Sequence, residues 1–154
     1  MIFLIACIVL IAIDQLTKLV VLNSLKPVEN VDIIKGFFSL TYVENRGAAF
    51  GMLEGGKWIF LAITAAVVVL VAVYYIKMQK TKENLWLRIA MAMIVSGAVG
   101  NAIDRLFRGF VVDFLNFWIF GWDFPVFNFA DILVVLGTIL LAGGIIIFDG
   151  KEKA

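Results

Sequence analysis

Four apolar stretches dominate this chain, running roughly Ile2–Leu22, Trp58–Ile76, Leu85–Ile103 and Ile132–Phe148. Each is close to the about 20 residues that carry a helix across a bilayer. Hydrophobic residues make up 63% of the chain and charged residues 16%, against about 45–50% and about 25% in soluble domains. One small core cannot hide that surplus. In hydrocarbon every backbone polar group must be bonded within its own segment, which leaves helices as the spanning element. The expected fold is therefore an all-α membrane protein with four transmembrane helices in a single domain, residues 1–154. The first stretch lacks a basic start and a small-x-small cleavage site, so it reads as an uncleaved span rather than a signal peptide. A net charge of +1 with no dense basic run speaks against nucleic acid as a partner.

An even number of spans places both termini on one side. The short basic link Lys77–Asn84, together with Lys151 and Lys153, assigns that side to the cytoplasm. Lys26, Lys35, Arg46, Lys57 and Arg108 are spread over the longer segments of the other side. Those segments, roughly Asn23–Lys57 and Phe107–Phe127, form the outer loops. Gly36–Val43 is rich in β-branched and aromatic residues, as strands are. Phe117–Trp122 is aromatic too, with a turn expected near Gly121-Trp122-Asp123 and rings suited to the headgroup region. A small β-rich extracytoplasmic part built from the outer loops is thus expected.

The chain has no histidine, and its one cysteine, Cys7, lies in the first apolar stretch. Ser-His-Asp and Cys-His triads, His-ligated metals and an internal disulfide are all excluded. No metal or cofactor is expected. Chemistry must come from polar residues lying where apolar ones belong. Asp113 and Asp131 stand at the two ends of the aromatic segment between the third and fourth spans, which puts both at the same water–lipid boundary. Paired carboxylates held close share a proton and divide into an acid and a base, the minimal equipment of an aspartic protease. Either could equally be an exposed boundary carboxylate, and Asp131 or Asn128 could cap the fourth helix.

Asp14 and Lys18 are four apart and share a helix face, as an ion pair turned into the bundle or as a substrate contact. Gly97 and Gly100 let a neighbouring helix approach. Asn101 and Arg105, also four apart, can point together, and Asp104 with Arg105 reads as a structural pair. Asn45-Arg46-Gly47-Ala48-Ala49-Phe50-Gly51 joins a polar head to small residues and fits a loop or a packing motif. Three classes stay open on these residues: an aspartic peptidase, a small proton- or ion-coupled transporter, and a non-enzymatic membrane scaffold. A transporter predicts internal repeats and helices broken at mid-depth, and the sequence has neither.

Five segments in order resemble one family. They are Asp14-Gln15-Leu16-Thr17-Lys18, Asn45-Arg46-Gly47-Ala48-Ala49-Phe50, Gly100-Asn101-Ala102-Ile103-Asp104-Arg105, Val111-Val112-Asp113-Phe114 and Phe127-Asn128-Phe129-Ala130-Asp131. Together they resemble the lipoprotein signal peptidases (signal peptidase II), over essentially the full chain. The resemblance implies a monomeric aspartic endopeptidase of the bacterial cytoplasmic membrane, with its active site near the outer leaflet. It implies as partners membrane lipids and prolipoprotein signal peptides, cut before a diacylglyceryl-modified cysteine. By the same resemblance Asp113 and Asp131 form the dyad, and Asp14, Asn45, Gly47, Asn101, Arg105 and Asn128 line or brace it. Lys18, Gly97, Gly100, Asp104 and Ala130 give structural support. The small residues Gly47 to Gly51, with Trp118 and Trp122, are candidates for a clamp over the substrate.

Overall fold

Helix and strand alternate in an order that follows the apolar pattern. The computed structural model describes residues 2–47, 55–79, 81–82 and 84–152, of which 147–152 are described as backbone. Helix α1 (Ile2–Val20) widens into a π-helical turn, Val21–Leu25; β1 (Asn30–Ile34) and β2 (Phe38–Asn45) follow. Then come α2 (Lys57–Lys77), α3 (Leu85–Phe107), β3 (Val111–Ile119), β4 (Trp122–Asp123) and α4 (Phe129–Glu152). All four helices are long and apolar enough to cross a membrane. Helix α2 buries none of its residues, so its uniformly apolar surface needs lipid as its solvent.

Two helices are longer than the hydropathy pattern. Helix α3 continues past Ile103 to Phe107, and α4 begins at Phe129 rather than Ile132. The extra turns carry Asp104, Arg105 and Asp131, whose charged groups are met by polar partners inside the protein. Apolar content marks where lipid ends, and backbone hydrogen bonding carries the helix further.

Helix α3 is the centre of the bundle and packs against α1, α2 and α4. Its buried positions include Ala90, Ala92, Ser96, Gly97 and Gly100, the small residues that let helices meet closely without a hydrophobic drive. A Cβ added at Gly97 would overlap the Ala130 carbonyl oxygen and come within 2.8 Å of Val134 Cγ2.

The two outer segments pair with each other. They form one antiparallel sheet in the order β1-β2-β3-β4, so both lie at the same end of the bundle. Strand β2, expected over Gly36–Val43, runs two residues later, and β1 and β4 were not marked by composition. Val112 and Phe114 of β3 pack on Val21 and Leu25 at the end of α1, anchoring the sheet to the helices. The β3–β4 turn lies at Phe120-Gly121, with φ of 52° and 82°, a residue earlier than expected. Positive φ at both central positions is what a two-residue hairpin needs to match strand twist.

Gly97→Ala should lower stability by about 1–3 kcal/mol through overpacking. Gly143, where an added Cβ meets open space, should accept Ala within about 0.5 kcal/mol. Thermal unfolding in detergent compares the two; equal midpoints would mean that α3 and α4 do not touch at Gly97.

Candidate active site

The site is built outward from a buried cation. Lys18 on α1 is fully buried. Its Nζ lies 3.1 Å from Asp14 Oδ2 and 3.1 Å from Asp104 Oδ2, and it donates to Asn101 Oδ1 at 2.8 Å. Arg108 forms a second ion pair with Asp104, so two cations face two carboxylates. Gln15 closes the group. Its Nε2 donates to Asp14 Oδ2 at 3.0 Å and to the Gly100 carbonyl at 3.1 Å, while its Oε1 accepts from Arg108 at 3.1 Å. An unpaired charge here would be costly, and pairing is what makes the position tolerable. Asp104 therefore pairs with Lys18 and Arg108, and the expected Asp104–Arg105 pair does not form. Consecutive residues on a helix do not face each other, and Arg105 lines the cleft and donates to the Gly47 carbonyl.

This cluster ties the elements together. Asp14 Oδ1 accepts from the Ala130 amide at 3.1 Å, so α1 supplies a cap to the first turn of α4. Gly100 makes room for it, because a Cβ there would overlap the Asp14 carboxylate and meet Ala130 Cβ at 3.4 Å. Asp104 Oδ2 accepts from the Val112 amide at 3.0 Å, joining α3 to β3. Asp14 is thus a brace and not part of the cleft lining.

Asn101 carries the network to Asp131. Its Oδ1 accepts from Lys18 and, at 3.2 Å, from Asn128 Nδ2; its own Nδ2 donates to Asp131 Oδ1 at 2.7 Å. Asn128 and Asp131 cap α4 reciprocally. The Asn128 amide donates to Asp131 Oδ2 at 3.0 Å, and the Asp131 amide donates to Asn128 Oδ1 at 3.1 Å. This is the logic of a capping box with Asn and Asp in the two roles. Both residues named as alternative caps therefore take part.

Asn128 also reaches the other aspartate, donating from Nδ2 to Asp113 Oδ1 at 2.6 Å. Asn45 Nδ2 donates to Asp113 Oδ2 at 2.8 Å, and that bond depends on a β-bulge. Leu40 pairs with Leu115 but Val43 with Asp113, so β2 carries one extra residue. The bulge reverses the alternation of side chains, which brings Asn45 onto the face of Asp113. Burial first, then the neighbouring Asp131 carboxylate, push Asp113 up to about 7, against the pull of the Asn45 and Asn128 amides.

Asp113 and Asp131 line one cleft of about 610 Å³, with Asn45, Gly47 and Arg105 at its polar end. Phe124 to Phe127 and the α4 side chains Ile132, Val135 and Leu136 form its apolar walls. Arg105 donates to the Gly47 carbonyl at 3.1 Å and lies 4.3 Å from the Phe60 ring centre. A carboxyl pair in such surroundings can take up and give one proton beside an apolar ligand.

The sequence-derived residues sort into layers. Asp113, Asp131, Asn45, Gly47 and Arg105 line the cleft; Asn101 and Asn128 hold the carboxylates; Asp14, Lys18, Gly97, Gly100, Asp104 and Ala130 lie behind. Trp118 and Trp122 are not among the lining residues, and Trp118 borders a separate hollow with Phe37. Ala48, Ala49, Phe50 and Gly51 lie outside the described residues. Phe60 and Phe124–Val126 were not singled out, and Gln15, Arg108 and Phe127 were named without a role at the site. Gln15 had a readable signal, a polar side chain inside an apolar helix, and Arg108 stands four residues after Asp104.

Residues 6–147 match the family model described as signal peptidase (SPase) II. A lipoprotein signal peptidase of Clostridioides difficile is 44% identical over 99% of this chain and 100% of its own. One from Symbiobacterium thermophilum is 43% identical over 100% of both chains. A solved structure described as a bacterial membrane enzyme superposes with a TM-score of 0.83 at 33% identity, covering 97% of this chain and 88% of its own.

Asp113 near 7, against 3.8 for a free carboxyl, makes stability fall with pH. Between about pH 4 and pH 7 the unfolded chain has released a proton that the folded one retains. Asp113→Asn should therefore gain on the parent across that window and hold a constant gap above it. Thermal midpoints at a series of pH values test this, and parallel curves for the two proteins would refute it.

Proposed function

The chain belongs to the signal peptidase II family, and from that we propose that it is an aspartic endopeptidase of prolipoprotein processing. It removes the signal peptide by cutting before the diacylglyceryl-modified cysteine. The observation that carries this reading is that Asp113 and Asp131 border one largely apolar cleft and are joined through Asn128. The mechanism uses one proton shared between them, which belongs to the pair and not to either residue. The ionised carboxylate takes a proton from a water held between the two, and that water attacks the scissile carbonyl. The protonated partner donates to the developing oxyanion. The tetrahedral diol collapses as a proton passes to the leaving amine. Asn45, Asn101 and Asn128 hold the carboxylates in place beforehand, so little reorganisation is needed at the moment of reaction.

The walls fit such a substrate. Val135 and Leu136 line the cleft while also being half-exposed on α4, a surface continuous with the lipid-facing side of a spanning helix. Acyl chains of the modified cysteine can lie there. Arg105 is placed to hold a backbone carbonyl of the signal peptide. Phe124, which lines the cleft, takes over the clamp role first considered for Trp118 and Trp122. The two outer segments share one sheet at the end of the bundle that holds the pair, and the short basic link Lys77–Asn84 at the other end supports a site on the outer face of the cytoplasmic membrane with the termini inside. A transporter would place its acids at mid-depth between broken helices. Here they gather at one end of unbroken ones.

Asp113→Asn and Asp131→Asn should each lower kcat for a lipidated prolipoprotein by about a thousandfold or more, with the fold retained in detergent. Variants that cleave at the parental rate would remove both residues from the chemistry. Phe124→Ala should raise KM by roughly tenfold through lost apolar contact with kcat little changed, while Trp122→Ala leaves KM alone. The opposite pattern would return the clamp to Trp122.

A further inference from the structure

We propose that Lys18 is a positioning residue: its ammonium sets the amide orientation of Asn101, and so decides which atom Asn101 presents to Asp131. The inference rests on the reading of Asp113 and Asp131 as the catalytic pair. An asparagine amide has a donor end and an acceptor end of nearly equal size. Either end of Asn101 could face Asp131. Lys18 has three donors and no acceptor, and its Nζ is 2.8 Å from Asn101 Oδ1. A flipped amide would set its NH2 against the ammonium and its oxygen against the Asp131 carboxylate. The unflipped one donates to Asp131 Oδ1 at 2.7 Å. Asn128 Nδ2 supports the same choice from α4 at 3.2 Å.

Neutralisation alone does not account for this arrangement. Asp14 and Asp104 use two of the three lysine donors, and the third goes to a neutral amide that touches the pair. The charged groups around Lys18 are Asp14 on its own helix and Asp104 on α3, with Arg108 beyond, and its charge also reaches Asp113 of β3. From α4 this region receives Asn128 and the Ala130 amide. Around Asp131 stand Asn101 and Arg105 of α3 and Asp113 of β3. Asn101 is thus the hydrogen-bonded link between the buried cation and Asp131.

Lys18→Met alone would strand two carboxylates. The charge-neutral pair Lys18→Met/Asp14→Asn avoids this and is compared with Asp14→Asn, which keeps the lysine. Cleavage of a lipidated prolipoprotein is followed in detergent against pH. Loss of the orienting donor should lower kcat by about tenfold or more, the worth of one hydrogen bond to a charged group, with KM within about twofold. The acid limb of the kcat profile should move to higher pH by about one unit, because the ionised pair loses a donor. On an Asn101→Leu background the same two changes should add nothing, since the link is already gone. An unmoved acid limb, a shift that adds fully to that of Asn101→Leu, or a charge-neutral pair that does not fold would each overturn the proposal. An unaltered chain that cleaves no lipidated prolipoprotein at any pH would instead overturn the peptidase reading, before any variant is compared.

Discussion

A fully buried lysine inside a lipid-spanning bundle must find opposite charge, and the rest of the site is arranged around that need. Lys18 draws Asp14 of α1 and Asp104 of α3 to within 3.1 Å. Each carboxylate then spends a further oxygen contact on backbone, Asp14 on Ala130 of α4 and Asp104 on Val112 of β3. One electrostatic requirement therefore fixes three helices and a strand relative to one another. In water such pairs would be worth little. With solvent excluded, removing one member leaves an uncompensated charge, which is why the cluster can set geometry.

The carboxylates at the cleft are held by amides rather than by charges. Asn101, Asn128 and Asn45 each donate to a carboxylate oxygen without forming an ion pair that would hold both acids permanently ionised. Asn128 is the hinge of the arrangement, capping α4 with Asp131 while its Nδ2 reaches Asp113. Helix capping, usually a contribution to stability, here also places a carboxylate at the cleft.

Much of the site was legible because local pattern carried it. Asp14 and Lys18 at i, i+4 had to share a face, Asn128 and Asp131 at i, i+3 had to compete for or share a helix start, and Gly97 and Gly100 had to mark a close helix contact. The charge of Asp104 was legible and its partner was not. The nearest arginine in sequence, Arg105, lines the cleft instead, and Arg108 and Lys18 are set by helix rotation and by packing. Trp118 and Trp122 stood out by composition, yet the cleft is lined by Phe124–Phe127, where the chain returns from β4 to α4.

Sequence alone determined four helices apolar enough to span a membrane and the spacing of the acids and amides that flank them, because these depend on hydropathy, spacing and which side chains exist. Only the tertiary structure decided that the two outer loops share one sheet and that a bulge in β2 turns Asn45 toward Asp113. It also decided that Arg108 rather than Arg105 answers Asp104. Those outcomes rest on pairings between segments distant in the chain, and a single extra residue in a strand exchanges its faces. No local pattern reports that register, because it is chosen by the contacts that the whole fold makes possible.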